Sequence, residues 1–325
     1  MTISLADIQA AAGRLKGLAV ETPLIESPAL NERLGGRVLL KPETLQRAGA
    51  FKFRGAYNRL SQLNDAEKAR GVVAFSSGNH AQGVALAAKL LEIPALIVMP
   101  SDSPAVKVEG TKGFGAEIRF YDRFTEDRIA IADQIAAERG CTVVPSYDDP
   151  HIIAGQGTLG IEIIEQAKAL GVELDRVLSP VGGGGLIAGT STAVKGLSPS
   201  TEVWGAEPAG FDETRRSLES GERETIDKDA RSICDALLTP IPGELTWPIN
   251  SKTLSGIVAV TDAEVAEAMR YAFGTLKLVV EPGGCVALTA ALTGKIDVAG
   301  KTVAIVLSGG NVDPGLFAQI LRGEI

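Results

Sequence analysis

Short apolar runs alternate along this chain with segments of helical periodicity. The runs are rich in valine and isoleucine and mostly continuous, which is typical of parallel strands covered on both faces. Helical patterns lie between them, for example at 81–91, 127–139 and 157–170. This alternation predicts an α/β fold built on a doubly wound parallel sheet. The predicted strands are residues 38–40, 72–75, 95–99, 117–121, 177–181, 202–206 and 303–307.

The length of 325 residues is enough for one large α/β unit or for two domains. No stretch rich in proline and glycine divides the chain, so we expect any second domain to be inserted within the first. The polar stretch 213–228 is predicted to form a long loop or a mobile helix. The uncharged run 177–194 contains Pro180 and four consecutive glycines, which makes it too broken to span a membrane.

Composition excludes several classes of protein. Acidic residues outnumber basic ones by 40 to 32, and this net charge of −8 argues against nucleic acid or an anionic membrane as the main partner. Cys141, Cys234 and Cys285 form no close pair, which argues against a disulfide scaffold and indicates a reducing compartment such as the cytoplasm. His80 and His151 are the only histidines, too few for a histidine-rich metal centre. The amino terminus has no basic-then-apolar pattern, so no signal peptide is expected.

A lysine between two aromatic residues is the first candidate for chemistry. Lys52 lies between Phe51 and Phe53 in the segment 49–55. Aromatic neighbours can desolvate the amine, which lowers its pKa and suits it to form a Schiff base. The alternative is a surface lysine in a loop that leads to a helix, and the segment taken alone favours this alternative.

Small polar residues follow the predicted strand 72–75. Ser76, Ser77 and Asn79 come just before a helix predicted from residue 81. Hydroxyl and amide groups beside a helix amino terminus can bind a carboxylate. A capping turn is an equally good interpretation, and His80 taken alone is best explained as a structural histidine.

A run of glycines follows the strand 177–181 and precedes a helical pattern at 186–194. Residues without a Cβ let the backbone fold closely around an anion, and the helix dipole favours negative charge there. A flexible turn is the alternative, but the position between strand and helix favours phosphate binding. The glycines are Gly182, Gly183, Gly184 and Gly185.

A dinucleotide site is a rival interpretation of the same run. Gly183, Gly185 and Ala188 satisfy the pattern G-x-G-x-x-A, and Glu207 lies where a ribose-binding acid would follow. That pattern predicts a nicotinamide-dependent oxidoreductase but leaves Lys52 without a role. No Gly-Lys-Ser/Thr follows the glycines, so a P-loop is excluded.

A further polar turn, 308–311, follows the predicted strand 303–307. Ser308 would present a neutral hydroxyl to a ligand at the carboxyl end of the sheet. An ordinary turn is the alternative.

Taken together, these segments resemble the fold-type II pyridoxal-phosphate enzymes, the tryptophan synthase β-subunit superfamily. More narrowly, they are similar to the serine/threonine dehydratase and serine racemase group. The resemblance rests on their order along nearly the whole chain, including Gly-Gln-Gly at 155–157. It implies two doubly wound sheets, one in a large domain made of residues 1–70 and 148–325. The other would lie in a small, mobile substrate domain of residues 71–147, inserted into the large one.

The resemblance also assigns roles to individual residues. Lys52 would form the Schiff base with pyridoxal 5′-phosphate and take the substrate's Cα proton, and Ser77 would face it from the opposite side. The implied cofactor-binding residues are Phe51, Lys52, Asn79, Gly182, Gly183, Gly184, Gly185, Glu281 and Ser308. The implied substrate-binding residues are Ser76, Ser77, Asn79 and His80.

A divalent cation is implied as well. The family's site starts from an acid in an Ala-Glu-Pro segment, and here that acid is Glu207. The carbonyl of Phe211 and the carboxylate of Glu213 follow, and such hard oxygen ligands suit Mg²⁺ or Mn²⁺. This assignment competes with the ribose-binding interpretation of Glu207, and a surface acid is the remaining alternative.

The expected reaction is β-elimination from a hydroxy amino acid, giving a 2-oxo acid and ammonia. Two positions argue against a simple threonine dehydratase. Many relatives carry Ser or Thr where this chain has Ala50, and many threonine dehydratases carry Ala where it has Ser77. The segment 121–128 is most similar to the 3-hydroxyaspartate dehydratase branch, with Arg123 and Arg128 available for a second carboxylate. A solvated charge run is the alternative for these arginines.

3-Hydroxyaspartate is therefore the first expected substrate, and serine or threonine dehydration and serine racemisation are the alternatives. An amino-acid-binding regulatory module, like the oxidoreductase, is a more distant possibility. By analogy with the family, we expect a homodimer with a small-molecule partner and with no nucleic-acid or membrane partner.

Overall fold

The computed structural model describes residues 3–103 and 105–325. Helices and strands alternate through most of the described chain. The helices are α1 (Leu5–Leu15), α2 (Pro28–Leu34), α3 (Lys52–Ser61), α4 (Asp65–Arg70), α5 (Asn79–Leu90), α6 (Ala105–Gly113), α7 (Arg128–Arg139), α8 (Pro150–Ala169), α9 (Gly185–Leu197), α10 (Glu213–Ser220), α11 (Trp247–Thr253), α12 (Asp262–Tyr271), α13 (Pro282–Leu292) and α14 (Pro314–Arg322). The strands are β1 (Ile25–Glu26), β2 (Arg37–Pro42), β3 (Val72–Phe75), β4 (Ala95–Pro100), β5 (Glu117–Tyr121), β6 (Thr142–Val143), β7 (Arg176–Pro180), β8 (Glu202–Pro208), β9 (Gly256–Val260) and β10 (Thr302–Leu307).

The strands form two sheets. One contains six strands in the order β1-β2-β10-β7-β8-β9, and the other contains four in the order β5-β4-β3-β6. Every pairing in both sheets is parallel except that of β1 with β2. The predicted α/β fold with two parallel sheets is confirmed, and all seven predicted strands are present.

The larger sheet is covered on both faces, as its continuous apolar runs predicted. In β10, Val303, Ile305 and Leu307 belong to one buried cluster, whereas Ala304 and Val306 belong to another. Successive side chains of a strand point to opposite faces, so β10 contributes to two hydrophobic cores. Successive residues of β10 point to opposite faces, yet all of them can be apolar because neither face contacts water.

Helix α8 begins earlier than the sequence analysis predicted. It starts at Pro150, capped by the Asp149 side chain, so Gly-Gln-Gly lies inside the helix rather than before it. These glycines allow close contacts between helices: a Cβ on Gly155 would lie 2.6 Å from the Arg54 carbonyl oxygen of α3. A Cβ on Gly157 would lie 2.8 Å from the Gly189 carbonyl oxygen of α9. Helix α8 therefore packs tightly against both α3 and α9.

The polar stretch 213–228 and the uncharged run 177–194 both contain regular secondary structure. The stretch 213–228 is helical in its first half, as α10, and irregular after Gly221. The run 177–194 contains most of β7, the glycine turn and the first part of α9. Within the described ranges, no helix combines the length and the apolar character that crossing a membrane requires.

Candidate active site

Lys52 is the first residue of α3, and its amine lies in a partly enclosed position. Nζ donates a hydrogen bond of 2.7 Å to the carbonyl oxygen of Ser146 and lies 5.1 Å from the centre of the Phe51 ring. Burial lowers the pKa of Lys52 to about 8, and the charge of Glu281 opposes this shift. The Lys52 amine is desolvated, as expected, but of its two aromatic neighbours only Phe51 has its ring beside the amine. Phe53 packs into the core against Tyr57, with ring centres 5.7 Å apart.

The turn after β3 leads directly into α5. Its Gly78 N–H donates to the Ser76 hydroxyl at 3.2 Å, and Ser76 and Ser77 are half-buried. Helix α5 begins at Asn79, two residues before the predicted start. The first backbone N–H groups of a helix have no acceptor within it, so this turn combines hydroxyls and amides suited to a carboxylate.

Asn79 connects this turn to the other sheet. Its side-chain amide donates to the Glu281 carboxylate, and its oxygen accepts from Asn311 Nδ2 at 2.8 Å. Asn311 also donates to the carbonyl oxygen of Ala48 at 2.8 Å, just before the lysine segment. A hydrogen-bonded chain of side chains therefore joins three of the motifs that are far apart in sequence.

His80 has the structural hydrogen bond that the sequence analysis favoured. Its Nε2 donates to the Val144 carbonyl oxygen at 2.9 Å, which makes Nδ1 an acceptor. Burial and the charge of Lys52 lower the pKa of His80 to about 3, so the ring is neutral. Nδ1 is buried and has no hydrogen-bond partner among the described residues. The neutral His80 ring has one N–H group, and because this group already donates to Val144, it cannot donate to a substrate carboxylate.

The glycine turn has backbone N–H groups available for an anion. In the described chain, the N–H groups of residues 182–187 donate no hydrogen bond. The carbonyl oxygen of Gly183 accepts from the Thr246 hydroxyl at 2.7 Å, and that of Gly184 accepts from Asn250 Nδ2 at 3.3 Å. Gly184 has a φ of +89°, a conformation that other residues rarely adopt. The arrangement fits a phosphate group.

Glu281 and Ser308 lie beside Asn79 and the lysine segment, and the space between Lys52, Asn79, Glu281 and the glycine turn is called the cleft below. Glu281 precedes α13 and is buried, and burial raises the pKa of its carboxyl group to about 7. A Cβ on Gly309 would lie 2.2 Å from Glu281 Oε1, so only glycine leaves room for this carboxylate. The Ser308 carbonyl oxygen accepts from the Phe51 N–H at 3.1 Å, which ties the end of β10 to the lysine segment.

Glu207, in β8, lies close to Glu213, the first residue of α10. Glu207 accepts from the backbone N–H groups of Thr214 at 3.2 Å and Arg215 at 2.9 Å. Both carboxylate oxygens of Glu213 are buried without a hydrogen-bond partner in the described chain. Burial raises the pKa of both carboxyl groups, and the charge of Glu207 raises that of Glu213 further. Among the described residues, no group of three or more His, Cys, Asp or Glu is placed to hold a metal ion.

The two candidate arginines differ in their surroundings. Arg123 forms an exposed ion pair with Asp102 at 2.7 Å. Arg128, at the start of α7, lies 5.7 Å from the centre of the Phe75 ring and makes no ion pair with a described residue. Arg128 is exposed, and its neighbour Phe75 is the last residue of β3, directly before the turn that contains Ser76 and Ser77.

Sequence reasoning missed the segment 146–148. Ser146 accepts from Lys52, and a Cβ on Gly183 would lie 2.5 Å from the ring of Tyr147, so this ring lies directly on the glycine turn. Asp148 accepts hydrogen bonds from the backbone of the turn before α11. Asp149-Pro150 was the one available signal, since it marks a helix start, but nothing local indicates that the preceding residues reach the site.

Sequence comparison supports the cleft's chemistry. The family described as pyridoxal-phosphate dependent enzyme matches residues 15–309. An L-threo-3-hydroxyaspartate ammonia-lyase of Pseudomonas sp is 45% identical over 317 residues, covering 98% of this chain and 98% of that protein. A serine racemase of Schizosaccharomyces pombe is 40% identical over 315 residues, covering 97% of this chain and 96% of that protein.

Structural comparison agrees with the sequence comparison. The crystal structure of a T.th. threonine deaminase superposes with a TM-score of 0.90 at 43% identity, covering 95% of this chain and 99% of that chain. The family match overturns the nicotinamide interpretation, and Glu207, its expected ribose-binding acid, is buried and accepts from the backbone N–H groups at the start of α10. The expected family is confirmed: the chain belongs to the pyridoxal-phosphate-dependent enzymes, in the group of its ammonia-lyase and racemase relatives.

Proposed function

We propose that this protein is a pyridoxal-phosphate-dependent ammonia-lyase whose preferred substrate is 3-hydroxyaspartate. The net reaction converts the hydroxy amino acid into a 2-oxo dicarboxylic acid and ammonia. The observation that carries this proposal is that Ser146 and Tyr147 link a lysine with a pKa of about 8 to a glycine turn whose backbone N–H groups have no acceptor in the described chain. The 45% identity to a 3-hydroxyaspartate ammonia-lyase supports the substrate. Dehydration of serine or threonine, with serine racemisation as a side reaction, is the second candidate, favoured by the racemase and deaminase relatives.

The residues of the cleft fit the cofactor. We assign its phosphate to the N–H groups at 182–187 and its aldehyde carbon to Lys52, with Phe51 and Asn79 beside the ring. When bound, pyridoxal phosphate supplies a conjugated ring that spreads the negative charge left on Cα after proton removal. Ser308 would meet the pyridine nitrogen with a neutral hydroxyl, which does not hold that nitrogen protonated. A neutral partner at the pyridine nitrogen would favour loss of a β-hydroxyl over transamination.

Proton transfer at Cα is assigned to Lys52. An amine with a pKa near 8 is partly unprotonated at neutral pH, which is what a general base requires. Ser77, in the turn before α5, is assigned to the opposite face of the substrate. A hydroxyl there can return the proton from the other side, which would racemise the substrate.

Two groups would hold the two carboxylates of 3-hydroxyaspartate. Ser76, Ser77 and Asn79, together with the first N–H groups of α5, form the site for the α-carboxylate. The fourth residue expected at the substrate, His80, would support this turn through its bond to Val144. Arg128 is the candidate for the second carboxylate, because it is a cation near the turn after β3 without an acidic partner in the described chain.

The test compares kcat/KM for L-threo-3-hydroxyaspartate, L-serine and L-threonine with added Mg²⁺. We expect the dicarboxylate to be preferred, and Arg128→Gln to lower its kcat/KM by about 10- to 100-fold, as expected for losing a charged hydrogen bond. Serine turnover should change little, and Arg123→Gln is the matched control that should affect neither substrate. Preference for a neutral substrate, or an equal loss on all substrates, would reverse the substrate assignment. Ammonia release by Lys52→Ala would refute the mechanism.

We also propose a Mg²⁺ or Mn²⁺ site formed by Glu207, Glu213 and the carbonyl oxygen of Phe211. The supporting observation is that Glu213 is buried with both oxygens unpartnered in the described chain, and hard oxygen ligands suit these ions. We expect the enzyme to bind one Mn²⁺ per chain by electron paramagnetic resonance titration, and Glu213→Gln to abolish binding. Equal binding by both proteins would rule out this site.

We further propose a small inserted domain, a cytoplasmic location and a homodimeric assembly. The four-stranded sheet lies within residues 72–143, which supports a small domain at 71–147 inserted into the large domain of residues 1–70 and 148–325. Free cysteines support a cytoplasmic location. We expect a homodimer, so light scattering should give twice the chain mass of 33.8 kDa. A mass of one chain would contradict this.

A further inference from the structure

The glycine turn is held from behind by the loop and helix that contain Thr246 and Asn250. Both side chains are fully buried, and they donate to the carbonyl oxygens of Gly183 and Gly184. A Cβ on Gly184 would lie 2.8 Å from Thr246 Oγ1 and 2.5 Å from Asn250 Nδ2. Glycine is therefore needed at this position for the approach of these two side chains as well as for its positive φ.

Thr246 is itself fixed by an acidic residue. Asp148 accepts hydrogen bonds from the backbone N–H groups of Glu244 and Leu245, each at 2.9 Å, and of Thr246 at 3.3 Å. Asp148 lies two residues after Ser146, the acceptor for Lys52. One short segment thus reaches both the lysine and the loop that supports the glycine turn.

The direction of these hydrogen bonds determines which backbone groups of the glycine turn face the cleft. A peptide unit presents its N–H and its C=O on opposite sides, so a carbonyl held on one side leaves the neighbouring amide facing the other. In the described chain, the N–H groups of residues 182–187 have no acceptor. If the carbonyls of Gly183 and Gly184 turned toward the cleft, their partial negative charge would repel an anion.

We propose that Thr246 and Asn250 are positioning residues for the cofactor phosphate. They hold the glycine carbonyls away from the cleft and thereby orient the turn's N–H groups toward the phosphate. This inference concerns the cofactor alone, so it holds whichever amino acid the enzyme uses.

The test separates phosphate recognition from general folding by comparing two vitamers. The affinity of the cofactor-free full chain is measured by absorbance titration with pyridoxal phosphate and with pyridoxal, which lacks the phosphate. Thr246→Val removes the hydroxyl with little change in volume. We expect it to weaken pyridoxal phosphate binding about tenfold, as for one lost buried hydrogen bond, and to change pyridoxal binding less than about twofold.

Two further variants complete the design. Thr246→Ser keeps the hydroxyl and should restore most of the affinity. Asn250→Leu should also weaken pyridoxal phosphate selectively but by a smaller factor, because its bond to Gly184 is longer, and it tests the proposal should Thr246→Val fold poorly. Thr201→Val is the matched control: Thr201 is fully buried and donates to the Leu174 carbonyl oxygen at 2.8 Å, at the opposite end of β8.

The outcomes are distinct. Equal weakening of both vitamers by Thr246→Val, no weakening of either, or the same selective loss in Thr201→Val would each overturn the positioning role. A wild-type chain without preference for the phosphorylated vitamer would overturn the cofactor-site assignment and this inference with it. A wild-type chain that prefers it but turns over serine rather than 3-hydroxyaspartate would correct the substrate proposal and leave this inference intact.

Discussion

At the scale of single residues, the partners of a buried lysine decide whether it is structural or reactive. Lys41 is fully buried, and its amine donates to the Glu162 carboxylate at 2.6 Å. Burial lowers the pKa of Lys41, and the carboxylate of Glu162, with which Lys41 pairs, opposes the shift. Lys52 donates to the neutral carbonyl of Ser146 instead, and its pKa falls to about 8. A neutral acceptor leaves the desolvation of Lys52 largely uncompensated.

This difference predicts how Lys52 responds to pH in the cofactor-free protein. Only an unprotonated amine reacts with an acetylating reagent, so its labelling rate should rise with pH and reach half its maximum near pH 8, the pKa of Lys52. Peptide mass spectrometry over pH 6–11 measures this rate, with exposed Lys228 in the same digest as the reference. A midpoint near 10.5, the ordinary value for lysine, would show that burial does not tune Lys52.

At the scale of helices and strands, glycines set the distances between the elements that carry the site. Helix α8 contacts α3 through Gly155 and α9 through Gly157, at separations that leave no room for a methyl group. Lys52 begins α3 and the glycine turn begins α9, so these contacts set the distance between the lysine and the phosphate site. The motif Gly-Gln-Gly contributes to the site by packing rather than by binding a ligand.

This packing predicts opposite effects for two Gly→Ala changes in helices. Gly155→Ala should lower the free energy of unfolding by about 1–3 kcal/mol, because its Cβ would meet backbone atoms that cannot move aside easily. Gly13→Ala in α1 should raise it by about 0.5–1 kcal/mol, since nothing lies within 4 Å and alanine favours the helix. Urea denaturation of the cofactor-free protein measures both, and equal effects would show that the α3–α8 contact is not tight.

At the scale of the whole molecule, polar contacts around the cleft add to a buried apolar cluster in which Phe53 of α3 joins Val84 of α5. Lys107 of α6 forms an ion pair with Asp235, whose turn (Asp235–Leu237) contacts the glycine turn at Gly182. Asn79 and Glu281 form a second connection. Both bonds join residues on opposite sides of the cleft, so the site exists only when the two sheets are assembled.

The distribution of thiols reports on the packing of the larger sheet's core, which contains two of the three cysteines. Cys234 and Cys285 are fully buried and their pKa is raised by burial, whereas Cys141 is half-buried. In a thiol assay with Ellman's reagent, the folded protein should show one thiol reacting rapidly and two reacting at the rate of unfolding. Guanidinium without reductant should expose all three. Three rapid thiols before unfolding would contradict the packing, and fewer than three afterwards would indicate a disulfide.

The amino-acid pattern alone predicted seven of the strands, the parallel sheet class and the order of the motifs. The strands could be predicted because they follow local patterns, such as the apolar runs of β7 and β10, and the alternation of such runs with helical segments indicates the sheet class. Strands β1, β6 and β9 were not predicted: β1 and β6 are only two residues long, and β9 is a short apolar run without a distinctive motif.

Tertiary structure decided which residues meet. Ser146 lies 94 positions from Lys52, and Thr246 lies 63 positions from Gly183. No local pattern in the chain marks such pairs, because a hydrogen bond between distant segments depends on how the sheets and helices pack. The same packing directed Phe53 into the core and Phe51 toward the amine, although both flank Lys52 in the sequence. Local propensity specifies elements, whereas the orientation of side chains into a shared cleft follows from the assembled fold.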